Sequence, residues 1–339
     1  NMQTFDHKIN KLFYYWLIIS FIMVFFMIMV GGLTRLTDSG LSITEWELFN
    51  GILPPLNEKK WNEYFYLYQE IPQYKLLNNQ MSLNEFKVIF YWEYFHRVFG
   101  RLIGIFFLIP LIYFYFKRFT FNYFLPNCIL IFLLICIQGF VGWYMVQSGL
   151  TNNISVSHYR LSLHLFFAFI IISLLFWNYL NFKFIKNKSF FNLRNKLIKI
   201  LFSLILLQII VGAFVSGLDA GLIYQTWPKM NHSYFPDDVN IFQLNLFYLF
   251  DNQSFVQFLH RSIAYLITGF VIIIGIKMFI NKQKEHYKNY FIVFTILLTQ
   301  VVLGIFTLIS GLNLYLASLH QITSVILVFS VLNLNYKLS

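Results

Sequence analysis

Apolar residues fill eight long stretches of this chain, separated by short basic connections and by two longer polar segments. A helix needs roughly 20 apolar residues to cross the hydrocarbon core of a bilayer. Stretches of that length lie at residues 12–31, 89–116, 126–146, 161–182, 197–216, 255–280, 289–309 and 313–335. The pattern predicts an all-α integral membrane protein with eight transmembrane helices.

Composition supports this prediction, because 58% of the residues are hydrophobic and only 12% are charged. Soluble domains carry about 25% charged residues. The net charge of +11 follows the connections: Lys and Arg gather at both ends of the chain and in the second, fourth and sixth connections. Acidic residues gather in the intervening loops, mainly at 32–88 and 217–254. We therefore expect both termini in the cytoplasm, a lipid bilayer rather than a nucleic acid as the partner, and no cleavable signal ahead of the first span.

An internal repeat divides the chain into two halves. Spans three, five and seven each carry a glutamine four residues before a glycine, and span one has Gly31 at the equivalent place; the pairs are Gln138 and Gly142, Gln208 and Gly212, and Gln300 and Gly304. The repeat predicts two tandem four-helix bundles, residues 1–182 and 183–339. Because each half has an even number of spans, a pseudo-two-fold axis along the membrane normal should relate them.

Each even-numbered span contains one histidine near its predicted start: His96, His164, His260 and His320. An ionisable side chain inside an apolar helix is costly, so it is a functional hypothesis by default. A single such histidine is more often a hydrogen-bonded packing residue, but four at corresponding places favour two pairs of axial ligands for two heme groups. Non-heme metal sites need denser clusters of His, Cys and carboxylates than this sequence offers.

Small and basic residues accompany these histidines. The repeated glycines would let a flat macrocycle lie against the helix backbone, although close helix packing explains any single glycine equally well. Arg97 and Arg261 directly follow two of the histidines. A guanidinium is suited to bidentate contacts with carboxylates such as heme propionates, and snorkelling to the membrane interface is the alternative.

The two halves differ one helical turn before the first histidine of each. Glu93 precedes His96, whereas Gln257 precedes His260, and residues three apart share a helix face. A carboxylate beside an iron site is suited to taking up or delivering protons, which an amide cannot do. The alternative is a structural hydrogen bond from Glu93 to an outer loop.

Eight segments of the chain together resemble the heme A synthase family. In order they are GGLTRLTDSGLSITEW, GILPPL, EYFHRVFGRLIG, QGFVGWYMVQSGL, YRLSLHL, VSGLDAGLIYQTWPKMN, FLHRSIAY and LASLHQ. The resemblance implies an oxidoreductase that oxidises the C8 methyl of heme O to a formyl group, giving heme A for terminal oxidase assembly. It places Glu93, His96 and His164 at the substrate heme, and His260 and His320 on a heme b cofactor.

One departure from the family pattern narrows the expectation. Some bacterial members carry a cysteine pair in the first outer loop, and residues 32–88 contain no cysteine. The chain therefore resembles the cysteine-free branch of proteobacteria and mitochondria. We expect it in a bacterial inner membrane, with the mitochondrial inner membrane as the less favoured location.

The resemblance also implies partners. Heme O is the substrate, heme O synthase is its source, and the oxidation needs an electron carrier that the sequence does not identify; a homo-oligomer stays open. Two other functions would use the same four histidines. One is a di-heme electron-transfer cytochrome linked to quinone, which needs no carboxylate difference between the halves. The other is a heme carrier or oxidase assembly factor without turnover.

Overall fold

The structure is a computed structural model that describes residues 2–45, 53–117, 122–151, 153–190, 195–240 and 245–338. Trp46 and the first residues of the GILPPL motif lie outside the described residues. Arg118 and Arg194 of the basic connections also lie outside them.

The described chain is built from α-helices. Their order is α1 Met2–Leu36, α2 Glu58–Gln69, α3 Pro72–Leu77, α4 Leu83–Phe116, α5 Leu125–Gln147, α6 His158–Phe184, α7 Lys196–Gly217, α8 Gln253–Ile280, α9 Tyr287–Ile309 and α10 Leu314–Leu338. Eight of these, all except α2 and α3, are long and apolar enough to cross a membrane. The predicted all-α membrane protein with eight spanning helices is therefore confirmed.

Helix α4 begins well before the predicted start of its apolar stretch. Its start is fixed by a capping box, in which the Ser82 hydroxyl accepts from the Glu85 backbone N–H and the Glu85 carboxylate accepts from the Ser82 N–H. Such a cap satisfies two backbone donors that a helix start otherwise leaves free. The prediction missed this extension because residues 83–88 are not continuously apolar.

The chain divides into two compact units, Asn1–Asn178 and Tyr179–Ser339, with the boundary inside α6. Within the first unit α1 packs along α4, and within the second α7 packs along α8 and α9 along α10. Each of these pairs joins an odd-numbered span to the even-numbered span that follows it. The boundary near residue 182 and the pseudo-two-fold axis stay predictions.

An aromatic cluster packs residues 41–43 and α2 against the start of α4 in the first unit. Leu41 and Ile43 pack with residues of α2 and of the extended start of α4, and the buried members are Leu41, Ile43, Trp61, Tyr68, Ile71, Phe86 and Phe90. The rings of Trp61 and Phe90 meet edge to face with centroids 4.9 Å apart. This cluster fixes residues 41–43 against α4, just above the level of His96.

The alternation of basic and acidic connections predicts that the 37–82 segment is extracytoplasmic and the 281–286 connection cytoplasmic. We expect a cysteine at exposed Lys59 to react with a membrane-impermeant maleimide in intact cells. A cysteine at exposed Lys284 should react only after permeabilisation. Both native cysteines, Cys128 and Cys136, are first replaced by alanine. Labelling of Lys284→Cys in intact cells would contradict this topology.

Candidate functional site

The four histidines occupy one register in the even-numbered spans. Each is followed by a long helical segment that reaches the inner helix end: His96 to Phe116, His164 to Phe184, His260 to Ile280 and His320 to Leu338. From the rise of an α-helix each segment is about 27–30 Å long, which is close to the thickness of the hydrocarbon core. Within each unit the histidines therefore lie at one edge of the apolar layer. We call this edge the outer one of that unit, since its long segment, 37–82 in the first unit and 218–252 in the second, adjoins it.

The expected depth has to be corrected for one of the four histidines. We expected each of them within the first turns of its span, and His164, His260 and His320 lie there in α6, α8 and α10. His96 lies deeper in its helix, because the capped start of α4 projects beyond the apolar layer. The distance from each histidine to the inner end of its own helix is nearly the same in all four spans.

Each histidine ring packs against a glycine of the preceding spanning helix. A Cβ atom added to the glycine would lie 3.1 Å from the ring Cε1 in three of the pairs and 2.9 Å in the fourth; the pairs are Gly31 and His96, Gly142 and His164, Gly212 and His260, and Gly304 and His320. All four glycines stand at the same distance from the end of their helix. The sequence predicted that these glycines make room for a macrocycle. In the structure each of them makes room for a histidine ring.

The two histidines of the first unit have the spacing of ligands to one metal ion. The ring centroids of His96 and His164 are 6.4 Å apart, with planes tilted by 47°. A metal–imidazole nitrogen bond of about 2.0–2.1 Å puts two rings on opposite sides of one metal with centres about 6.3 Å apart. The spacing is that at which His96 and His164 would hold one heme iron between their rings.

Ring nitrogens in both units are left for such a role. The Nδ1 atoms of His96, His164 and His260 are buried and have no hydrogen-bond partner among the described residues. In the second unit Nδ1 of His320 lies 3.1 Å from the Gln300 carbonyl oxygen. As the donor there, Nδ1–H leaves the Nε2 lone pair for a metal. The described residues contain no group of three or more His, Cys, Asp or Glu able to hold a metal ion, so paired imidazoles fit a heme better than a non-heme metal.

Glu93 and Arg97 tie the outer segment of the first unit to α4. Glu93 is 3% exposed, and one of its carboxylate oxygens accepts from the Ser42 hydroxyl at 2.7 Å and from the Ile43 N–H at 2.8 Å. The other oxygen accepts from the Arg97 Nε and Nη2 at 3.0 and 2.6 Å. Arg97 also donates to the carbonyl oxygens of Ile43 and Glu45.

Gln257 and Arg261 make the corresponding connection in the second unit. The buried Gln257 amide donates to the carbonyl oxygens of Ala220 and Tyr224, and its oxygen accepts from Arg261. Arg261 donates to the carbonyl oxygens of Tyr224 and Thr226.

The loop carbonyls stand at matched places in the two units. The spacing from Gly212 to Tyr224 and Thr226 along the chain equals the spacing from Gly31 to Ile43 and Glu45. Each unit therefore contains a loop clamp of the same design. We use this name for the arginine, Arg97 or Arg261, that binds the two loop carbonyls together with its Glu or Gln partner.

The sequence predicted that Arg97 and Arg261, which directly follow two of the histidines, bind heme propionates. In the structure their guanidinium groups bind loop carbonyls and the adjacent Glu or Gln. The signal that was missed is the matched spacing from glycine to loop, supported by the left-handed backbone of Asp38 and Asp219 at φ 50° and 51°. A propionate-binding role for Arg97 and Arg261 stays a prediction.

Asp238 connects the 218–252 segment of the second unit to the start of α8. Its carboxylate accepts from the Tyr224 hydroxyl at 2.5 Å and from the Ser254 hydroxyl at 2.7 Å. Burial raises the pKa of Asp238, but these hydrogen bonds outweigh it and the pKa is lowered overall. Tyr224, whose carbonyl binds Arg261, is thereby tied to the start of α8.

A family model described as cytochrome oxidase assembly protein matches residues 14–332. A heme A synthase of Pelagibacter ubique strain HTCC1062 is 52% identical over 95% of this chain and 95% of its own length. The chain belongs to the heme A synthase family. Heme A synthases of Flavobacterium psychrophilum and Rickettsia bellii are 39% and 42% identical, each over 94% of this chain and over 96% and 95% of their own lengths.

Membership of the heme A synthase family confirms the resemblance seen in the sequence. The match spans both units, so the Gly–His pairs and the loop clamps all lie within the matched residues. The His96 and His164 pair on a multi-pass helical scaffold suits a family whose name refers to a heme product.

The glycine contacts generate a graded prediction for this heme A synthase relative. Alanine at Gly304 puts a methyl 2.9 Å from His320 Cε1, and alanine at Gly212 puts one 3.1 Å from His260 Cε1, so either ring must shift. We expect both variants to lower bound heme per protein, with Gly304→Ala the more severe. Gly269→Ala is the matched control, since its Cβ meets nothing within 4 Å. Equal heme content in all three proteins would show that the glycines do not position the ligands.

Proposed function

We propose that this chain is a heme A synthase, a membrane oxidoreductase that converts the C8 methyl of heme O to a formyl group for terminal oxidase assembly. The observation that carries the proposal is the 6.4 Å spacing of the His96 and His164 rings in a chain 52% identical to a heme A synthase. Heme O is the substrate, and the lipid bilayer is the medium of the reaction.

We assign the substrate heme to the first unit and a heme b cofactor to the second. His96 and His164 would hold the substrate iron, and His260 and His320 would hold the iron of heme b. The division rests on the one charge difference between the two clamps, Glu93 against Gln257. When bound, heme supplies the redox-active iron that this chain's own side chains lack.

The side chains of the first unit orient the substrate and keep water out. The Gly31 and Gly142 contacts fix the two rings, and the loop clamp with the cluster around Trp61 covers the outer end of α4. This arrangement would present one edge of a bound macrocycle at a constant place, as oxidation of a single methyl group requires. Arg97 and Arg261 are also proposed to bind the heme propionates, in addition to the loop carbonyls.

Glu93 has two candidate roles at this site. Its carboxylate accepts four hydrogen bonds and pairs with Arg97, which supports a positioning role that holds residues 42–45 above His96. Its place one turn from His96 supports proton uptake or delivery during the oxidation. Both roles require the carboxylate, and they differ in how much the loop contacts matter.

We expect Glu93→Gln to keep heme b but to make little heme A, because an amide cannot replace the paired carboxylate. Loss of a proton-handling group costs about 10²–10⁴-fold in rate, so heme O or a partly oxidised product should accumulate. Extraction of pigments and mass spectrometry measure this in cells that supply heme O. A heme A yield near that of the parent protein would remove Glu93 from the reaction.

Ser42→Ala separates the two roles of Glu93. It deletes one loop contact and leaves the carboxylate and Arg97 in place. A large loss of heme A in Ser42→Ala supports positioning, whereas a yield close to the parent's supports proton handling. The same extraction tests the proposed function itself, because a di-heme cytochrome or a heme carrier would leave heme O unchanged.

The cofactor assignment predicts a different outcome for the second unit. His260→Ala and His320→Ala each remove one axial ligand, so the heme b spectrum should weaken or disappear in both purified variants. His232→Ala is a matched control, because this histidine is itself exposed and lies outside the spanning helices. Parent levels of heme b in both ligand variants would overturn the assignment.

The reaction sets further proposals about partners and place. Oxidation of a methyl to a formyl group removes electrons from the carbon and adds one oxygen atom, from water or from dioxygen, so an electron carrier must act with this chain. Heme O synthase is the proposed source of the substrate, and a homo-oligomer stays open. The bacterial relatives support a bacterial inner membrane, with both termini in the cytoplasm.

A further inference from the structure

The three repeated glutamines each reach the histidine that pairs with the glycine of their own helix. Gln138 donates to the His164 carbonyl at 2.9 Å, and Gln208 donates to the His260 carbonyl at 3.0 Å. The amide nitrogens of Gln208 and Gln300 also lie 3.5 and 3.4 Å from the ring Nε2 atoms of His260 and His320. A glutamine one turn below the glycine thus braces the ligand helix.

The equivalent place beside His96 is occupied by Met27, one turn before Gly31. Its methyl group lies against α4, 3.3 Å from where a Cβ on Gly100 would be. Gly100 is one turn from His96, so Met27 lies in the position that Gln208 has in the second unit. A thioether has no hydrogen to donate, and the described residues supply no side-chain hydrogen bond to His96.

The braces are therefore distributed unequally between the units. In the second unit the Gln208 amide holds the backbone carbonyl of His260, and the Gln300 backbone carbonyl accepts from Nδ1–H of His320. In the first unit Gln138 reaches only the backbone of His164, and Met27 offers His96 nothing polar.

We propose that Gln208 is a positioning residue that, together with the Gln300 backbone carbonyl on His320, retains a resident heme in the second unit, and that Met27 leaves His96 as the readily released ligand of the first unit. The proposal rests on the proposed function, since only a substrate heme has to enter and leave at each turnover. A ligand ring held by fewer hydrogen bonds has less to lose when it moves off the iron. Exchange would then occur on the α1–α4 side of the first unit.

The test measures transfer of heme from the purified full-length protein to excess apomyoglobin. Mass spectrometry of the acceptor identifies which heme has left, and the optical change gives the rate. For the parent protein we expect heme O and heme A to leave faster than heme b. Met27→Gln should slow the loss of heme O and heme A about three- to tenfold, the range expected for one hydrogen bond. Gln208→Met should accelerate the loss of heme b by a similar factor.

Two controls separate hydrogen bonding from packing. Met27→Leu keeps an apolar side chain of similar size and should release heme at the parent rate. Gln208→Glu keeps the side-chain length and an acceptor but removes the amide donor, so it should behave like Gln208→Met. The electron paramagnetic resonance spectrum of ferric heme b should change in both Gln208 variants, because the backbone that sets the orientation of the His260 ring is no longer held.

Three results would overturn the inference: equal transfer rates for Met27→Gln and Met27→Leu, loss of heme b as fast as heme A from the parent protein, or an unchanged heme b spectrum in both Gln208 variants. Heme A formation is measured in the same preparations. Its absence would overturn the proposed function, while equal transfer rates with heme A present would overturn only the present inference.

Discussion

The contact between a glycine backbone and an imidazole ring is the constraint on which the rest of this structure depends. Four times, an odd-numbered span comes close enough to the following even-numbered span that a single added methyl would collide with the ring. Such an approach is possible only where the side chain is a hydrogen atom. The contact sets the separation of each helix pair, and with it the height of every histidine relative to the ends of both helices.

That fixed height explains why the two units can differ without losing the site. Above the rings, each unit clamps its outer segment by an arginine that binds two loop carbonyls at the same spacing from the glycine. The partner of the arginine is free to change, because a carboxylate and an amide can both accept from a guanidinium. In the first unit the loop presents an N–H and a hydroxyl to Glu93, and in the second it presents carbonyls to Gln257. The chemistry of the loop therefore follows the charge of the residue one turn before the histidine.

Hydropathy was enough to predict the eight spanning helices, because each contains an apolar stretch as long as the bilayer is thick. The internal repeat was enough to single out His96, His164, His260 and His320 from the other histidines. The start of α4 was not predictable in the same way, since a capping box and an aromatic cluster extend it where the sequence is mixed. The loop contacts of Arg97 were not predictable either, because a long flexible side chain can reach a ligand or a loop, and the packing of residues 41–45 brings the loop within its reach.

The position of the rings at the outer edge of the apolar layer suits a ligand that is itself two-sided. A heme has an apolar macrocycle and two carboxylates, and burying an unpaired carboxylate in hydrocarbon is far more costly than burying the ring. Ligands placed one hydrocarbon thickness from the inner helix ends keep the macrocycle among apolar side chains and leave its charged edge near the polar outer segments. The same placement brings Glu93 to the boundary between these environments, where it pairs with Arg97 at 2.6 Å and lies one helical turn from His96. The loop clamp therefore compensates a charged group next to the apolar site in both units. In the first, Arg97 and the loop donors compensate the Glu93 carboxylate, and in the second the loop carbonyls and the Gln257 oxygen accept from the Arg261 guanidinium.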